Sequence, residues 1–384
     1  MFAVKNPAVS EPVPAFATKP PARTTRAEVD LGAIAHNFRA VRAAAQGALV
    51  YAVVKADAYG HGLVPVARCL QQAGADGLGV ALAEEGFKLR HMGVTKPILV
   101  LNSAYGSEHE RVLREGLTPV VFDADHANAF SRAAKGQSFG VHLKVDTGMA
   151  RLGVTMEGLP ALLSELEKMP GLRIDGLMTH LSSADSDPAF TREQIKRFAG
   201  ARELLLQRGH QPRLAHLANS AGAFGFPEAR ADMVRPGIAL YGVCPLAGLE
   251  AGLKPALRLV TGVISVRELP AGTAVGYNQT HVTARPSRIA TVAIGYGDGL
   301  MRAASNRGAM LVRGKPCPIV GNVSMDLTML DVTETAGCSA GDEVVLIGEQ
   351  QGARLTAEDL ARACDTIAYE VFTNFSPRVP RIYI

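Results

Sequence analysis

The chain reads as an α/β protein, a (β/α)8 barrel of the TIM type followed by a mainly-β C-terminal domain. Three observations predict this. From Leu49 to Pro236, eight short apolar, β-branched runs are interleaved with helical stretches. Near Gly252 that alternation stops, and short strands separated by turn residues replace it. No segment repeats in sequence, which argues against a solenoid. At 384 residues the chain exceeds one ordinary core, so a large and a smaller domain are expected.

Residues 1–26 carry Pro7, Pro12, Pro14, Pro20 and Pro21 and no sustained apolar stretch. They read as a disordered N-terminal extension rather than an export signal. The barrel is expected over 27–252. Asp30 is a good N-cap for a helix over Leu31–Gln46, where Leu31, Ile34, Phe38 and Val41 recur at helical spacing and Gly47 follows. The expected strands are Leu49–Ala56, Gly77–Leu82, Ile98–Asn102, Pro119–Phe122, Gly140–Asp146, Ile174–His180, Leu214–Asn219 and Met233–Pro236. Helices are expected over Val64–Ala73, Ala83–Met92, Glu108–Arg114, His126–Ala134, Leu159–Lys168 and Arg192–Arg208. The second domain, 253–384, should hold strands at Leu257–Val266, Ile289–Ile294, Met310–Val312, Pro318–Val320, Leu327–Val332 and Glu343–Ile347, with one helix over Ala357–Arg362.

Composition excludes several classes of function. Hydrophobic content of 47% with 20% charged residues is globular, and no apolar run reaches membrane-spanning length. The 40 basic and 36 acidic residues are mixed along the chain, so nothing suggests nucleic acid. The five cysteines are odd in number and scattered without a C-x-x-C pair, which argues for a reducing compartment and against a disulfide framework or a metal site.

The chemistry-bearing residues gather at predicted strand ends, where a barrel of this kind builds its site. Lys55 closes strand one. Lys144, Asp146 and Arg151 close or follow strand five, and His180 closes strand six. Asn219 and Ser220 close strand seven, and Arg235 and Gly237 close strand eight. Each alone reads equally well as a polar group on a barrel rim. Together they point to one mouth. A lysine emerging from a buried strand has a lowered pKa and can form a Schiff base. The loops after strands seven and eight suit a phosphate, with the Ser220 hydroxyl and the Gly237 and Ile238 amides as donors. Tyr59, shortly after Lys55, can reach the same phosphate.

The stretch AVVKADAYGHG, Ala52–Gly62, resembles the pyridoxal-phosphate (PLP) lysine motif of alanine racemases, and the resemblance runs from Ala27 to the C-terminus. It implies PLP on Lys55, a small amino-acid substrate, and interconversion of L- and D-alanine, in a bacterium for peptidoglycan, in the cytoplasm. Arg235 would face the pyridine nitrogen. A guanidinium does not give up its proton, so it disfavours ring protonation and weakens the electron sink, which suits a reaction that only moves a proton. His180 resembles the partner of that arginine. Arg151, in the run DTGMARLG, matches an arginine near the cofactor's phenolic oxygen and the substrate carboxylate. Lys144 matches a lysine carbamylated in many members, and an unmodified lysine paired with a carboxylate is the alternative.

Tyr277, in VGYNQT, matches the family's second base, which acts opposite Lys55 from the neighbouring subunit. Met325 and Asp326, in GNVSMD, match a substrate-contacting pair from that subunit, and Tyr369 matches a tyrosine at the phosphate and channel. The resemblance thus implies a homodimer with shared sites. Many relatives carry arginine where this chain has Asn322, which puts one entrance contact in question. The rival readings are a racemase acting on serine or basic amino acids, a PLP-dependent decarboxylase of the same architecture, and a non-enzymatic PLP carrier. Arg235 speaks against the decarboxylase. The second domain with Tyr277 speaks against the carrier.

Overall fold

The structure, a computed structural model, describes residues 23–384. Eight parallel strands form the barrel in the order Met233–Val234, Leu49–Val53, Gly77–Val80, Ile98–Val100, Thr118–Val121, Phe139–Asp146, Leu172–Met178 and Leu214–His216. The ring closes between its first and last members through Asp232 N–H to Ala215 O at 3.0 Å and Arg235 N–H to Ala218 O at 2.9 Å. Helices cover the outside, as a parallel sheet buried on both faces requires. Leu31–Ala45 shows the logic. The Asp30 carboxylate accepts the Ala33 N–H, and Ala33, Ile34, Phe38, Val41 and Ala45 bury one face.

The second domain is a nine-stranded sheet in which Leu257–Leu269 is the longest strand. Arg26–Val29 pairs antiparallel with that strand and parallel with Arg381–Tyr383. This revises the expectation of a barrel starting at 27, because the first described strand completes the other domain's sheet. Of the expected disordered extension, residues 1–22 lie outside the described residues. Residues 23–26 are held in place. Arg23 makes a two-pronged ion pair with buried Asp298 at 2.6 and 2.7 Å, and Thr25 bonds Thr261 at 2.8 Å.

Three further expectations change. The strand expected at Pro318–Val320 runs over Lys315–Pro318, where it pairs with Ala309–Val312, and Ile319 keeps only an isolated bridge to Leu330. The expected single helix of this domain is followed by a second, Ala368–Asn374. In the barrel, the seventh strand ends at His216, and Asn219 instead caps a short helix, Ser220–Gly225, accepting the Gly222 N–H at 2.9 Å. Among the described residues, no helix is long and apolar enough to cross a membrane.

Candidate active site

A cavity of about 270 Å³ opens at the C-terminal mouth of the barrel. Lys55, Tyr59, Lys144, Arg151, His180, Asn219, Ser220, Arg235, Gly237, Ile238 and Tyr369 are among the residues that line it. The strand-end residues expected to meet do meet. Leu101, Asn102 and Met178 also line it, and sequence reasoning did not single them out.

Lys55 does not end the first strand. The strand stops at Val53, and Lys55 opens a turn in which Ala56, Asp57, Ala58 and Tyr59 all adopt left-handed φ of 52 to 54°. Such backbone costs an L-residue about 1–2 kcal/mol each, so outside contacts must hold it. Glu85 accepts the Ala56 N–H at 2.6 Å, Asp57 accepts the Leu63 N–H at 2.8 Å, and Arg381 donates to Gly60 O at 2.9 Å. Gly60 must be glycine. It has φ +77°, and a Cβ there would lie 2.1 Å from Phe372 O. The second domain therefore grips the turn that presents Lys55.

Burial lowers the Lys55 pKa, and the charge of Arg151 adds to this. Burial, with Arg235, Arg151 and Lys55 nearby, lowers Lys144 to about 8. Burial lowers Arg235 to about 9, which leaves it protonated at neutral pH. Four cationic side chains thus share a cavity that no Asp or Glu among the described residues lines. Among the described residues, Lys144 is not paired with a carboxylate.

Arg235 is fixed from behind. Its guanidinium donates to Thr179 O at 2.7 Å, Leu217 O at 3.1 Å and His216 Nδ1 at 2.6 Å. His180 Nδ1, the expected partner, lies farther away, at 3.4 Å. Arginine only donates, so His216 Nδ1 accepts, and its Nε2–H passes to His142 Nδ1 at 2.8 Å. Burial first, then Arg235 and its neighbours, holds His180 and His216 well below the usual imidazole range, so both are neutral. His142 and His216 are fully buried on barrel strands. Their signal in the sequence was a polar residue inside an apolar strand.

The Ser220 hydroxyl accepts the Gly237 N–H at 2.9 Å and the Ala239 N–H at 3.3 Å. Tyr59 stacks on Tyr241 with ring centroids 4.7 Å apart, and Tyr369 lies 6.0 Å away. Burial pushes the Tyr59 phenol up, and burial together with Asp185 pushes Tyr369 up to about 12. Both phenols stay protonated and can donate. The donor set, the excess of positive charge and the lysine fit PLP. Ser220, Tyr59 and the backbone near Gly237 suit its phosphate, Lys55 its aldehyde carbon, and Arg235 its ring nitrogen.

Tyr277, Met325 and Asp326 are not in this cavity. They sit on the exterior of the second domain, Tyr277 71% and Met325 53% exposed. Asp326 pairs with Arg378 at 2.7 Å. One chain therefore places only the Lys55 half of the expected acid–base pair at the cavity.

Comparison with known proteins agrees with this geometry. The family models described as alanine racemase, N-terminal domain, and alanine racemase, C-terminal domain, match residues 29–245 and 256–383. A protein of Sorangium cellulosum named alanine racemase is 45% identical over 375 residues, covering 94% of this chain and 99% of its own. The alanine racemase of Bartonella henselae with covalently bound pyridoxal phosphate superposes with a TM-score of 0.87 at 32% identity, covering 95% of this chain and 100% of its own. That of Bacillus anthracis with bound L-Ala-P gives 0.89 at 35% identity, covering 95% and 96%. The chain belongs to the alanine racemase family.

Proposed function

We propose that the chain is a PLP-dependent racemase interconverting L- and D-alanine with two bases, one from each subunit of a homodimer. The observation that carries this is the cavity itself, which gathers Lys55, Lys144, Arg151 and Arg235 with no acidic residue among its lining. When bound, PLP withdraws electrons and acidifies the substrate Cα–H. The chain's own groups then move the proton. Lys55, its amine pKa lowered by burial, serves the face from which D-alanine loses hydrogen. Tyr277 of the partner serves the L face. Arg151 orients the substrate carboxylate, and the partner's Met325 and Asp326 contact the substrate. Arg235, locked by His216 and two carbonyls, keeps its donors on the ring nitrogen, and Lys144 positions Arg151, as a carbamate.

Tyr277 and Met325 lie exposed on the second domain, which supports their use by a neighbouring chain in a two-fold pair. Cytoplasmic location and supply of D-alanine for peptidoglycan belong to the same proposal.

The test offers purified protein and PLP each enantiomer of alanine in D2O, following chirality and Cα deuterium. Inversion with deuterium uptake from both enantiomers is expected. Exchange of D-alanine with retention and no inversion would refute the two-base reading. Absence of both exchange and inversion would refute the function. Serine, lysine and arginine run beside alanine measure breadth.

A further inference from the structure

We infer that Asn322 is a positioning residue for Tyr277, bracing the turn from which the phenol projects. The inference rests on the reading of Tyr277 as an acid–base group. Asn322 is 7% exposed, and its side-chain amide donates to Tyr277 O at 2.9 Å. A carbonyl acceptor requires the NH2 end there, which fixes the orientation of the amide.

The turn needs such a brace. Gly276, Asn278 and Gln279, which surround Tyr277, have φ of +73, +60 and +52°, and the last two are not glycine. Left-handed backbone at non-glycine residues persists only where surroundings impose it. The Tyr277 side chain is 71% exposed, so side-chain packing within the chain does little to set its direction. Within the chain, its direction comes from its backbone. The segment carrying Asn322 lies against that backbone, since a Cβ on Gly321 would come 2.6 Å from Val275 O. Asn306 ties the two segments a second time, accepting the Gly321 N–H at 2.6 Å and donating to Thr280 Oγ1 at 3.1 Å. A base displaced by about 1 Å can lose up to a hundredfold in rate, so a single buried amide at this carbonyl bears directly on proton transfer.

The experiment compares Asn322→Ala, Asn322→Asp and Tyr277→Phe with the parent as PLP-loaded enzymes. Two rates are read in D2O: loss of the Cα hydrogen from L-alanine, and deuteration of D-alanine with retention. PLP affinity is read by titration of the apoenzyme. Both Asn322 variants should lose about tenfold on the L side while the D side and PLP affinity change by less than about twofold. Asn322→Asp keeps the side-chain volume but puts an anionic acceptor where the NH2 donated to the Tyr277 carbonyl, so it decides the matter if the alanine variant does not fold. Equal losses on both sides, or no loss, in the folded variants would overturn the brace. If Tyr277→Phe itself lost both sides equally, the reading of Tyr277 would fall. An asymmetric Tyr277→Phe beside a symmetric Asn322→Asp would remove the brace alone.

Discussion

Gly237→Ala tests how closely the proposed phosphate seat is built. Gly237 has φ −120°, so its conformation does not demand glycine. Space does. An added Cβ would lie 2.2 Å from the Tyr59 hydroxyl and 2.9 Å from its Cζ, while ordinary contact begins at 3.4 Å. The phenol must retreat by about 1 Å. Behind its ring stands Tyr241, stacked at 4.7 Å and itself anchored by its hydroxyl to Val53 O at 3.0 Å, so the ring has little room. Overpacking of this kind costs about 1–3 kcal/mol of stability. A retreat of about 1 Å also breaks the phenol's hydrogen bond to a phosphate, worth about 1.5–3 kcal/mol. PLP affinity should therefore fall roughly 10- to 100-fold. The assay is titration of folded apoenzyme with PLP, with thermal denaturation alongside. An affinity within about twofold of the parent, in a variant that folds, would refute the reasoning. In the Gly237→Ala, Tyr59→Phe double variant, loss of the clashing oxygen should recover part of the stability and none of the affinity.

Other consequences follow from the same geometry. In apoenzyme with unmodified lysine, Lys144→Met should stabilise the fold at pH 7 by up to about 3 kcal/mol. The unfolded chain holds the Lys144 proton up to pH 10.5 and the folded chain only to about 8, so parent stability rises across that window and the variant's advantage shrinks to nothing above it. Denaturant melts at pH 7 and 11 check this, and an advantage equal at both pH values would exclude a buried lysine charge. Uptake of isotopically labelled bicarbonate, read by NMR, should appear in the parent and vanish in Lys144→Met if the lysine is carbamylated. Because one chain places only half of the acid–base pair at its cavity, specific activity should fall on dilution together with dimer content measured by sedimentation. Activity that persists in a fully monomeric sample would sink the shared site.

Some of this protein was legible in its sequence, because the relevant information is local. Leu31, Ile34, Phe38 and Val41 recur at the helical period and therefore read as one buried face. Short β-branched runs that alternate with helices leave few arrangements besides a parallel barrel. Once the barrel is granted, Lys55, Lys144, His180, Asn219 and Arg235 share a mouth, because all parallel strands point their C-terminal ends the same way. The helix Ala368–Asn374 escaped notice because seven residues are too few to establish a period and Ile367 offers no side-chain cap, whereas Thr356 caps the equally short Ala357–Ala363.

Contacts between distant residues decided the rest. Local preference disfavours four successive left-handed residues after Lys55, and contacts from Glu85 and Arg381, far away in sequence, help hold them there. The partners of Arg235 depend on ångström differences between two strand ends, so His216 at 2.6 Å on one guanidinium nitrogen joins the expected His180 at 3.4 Å on another. Arg26–Val29 joined the second domain because a strand's hydrogen-bonding groups carry no address, and the sheet edges beside it came from residues more than two hundred positions away. The sequence alone pointed to the strand-end residues that line the cavity, but not to the buried pair His142 and His216 behind Arg235. The tertiary structure determined what each one faces, because hydrogen-bond partners and desolvation are properties of neighbours in space.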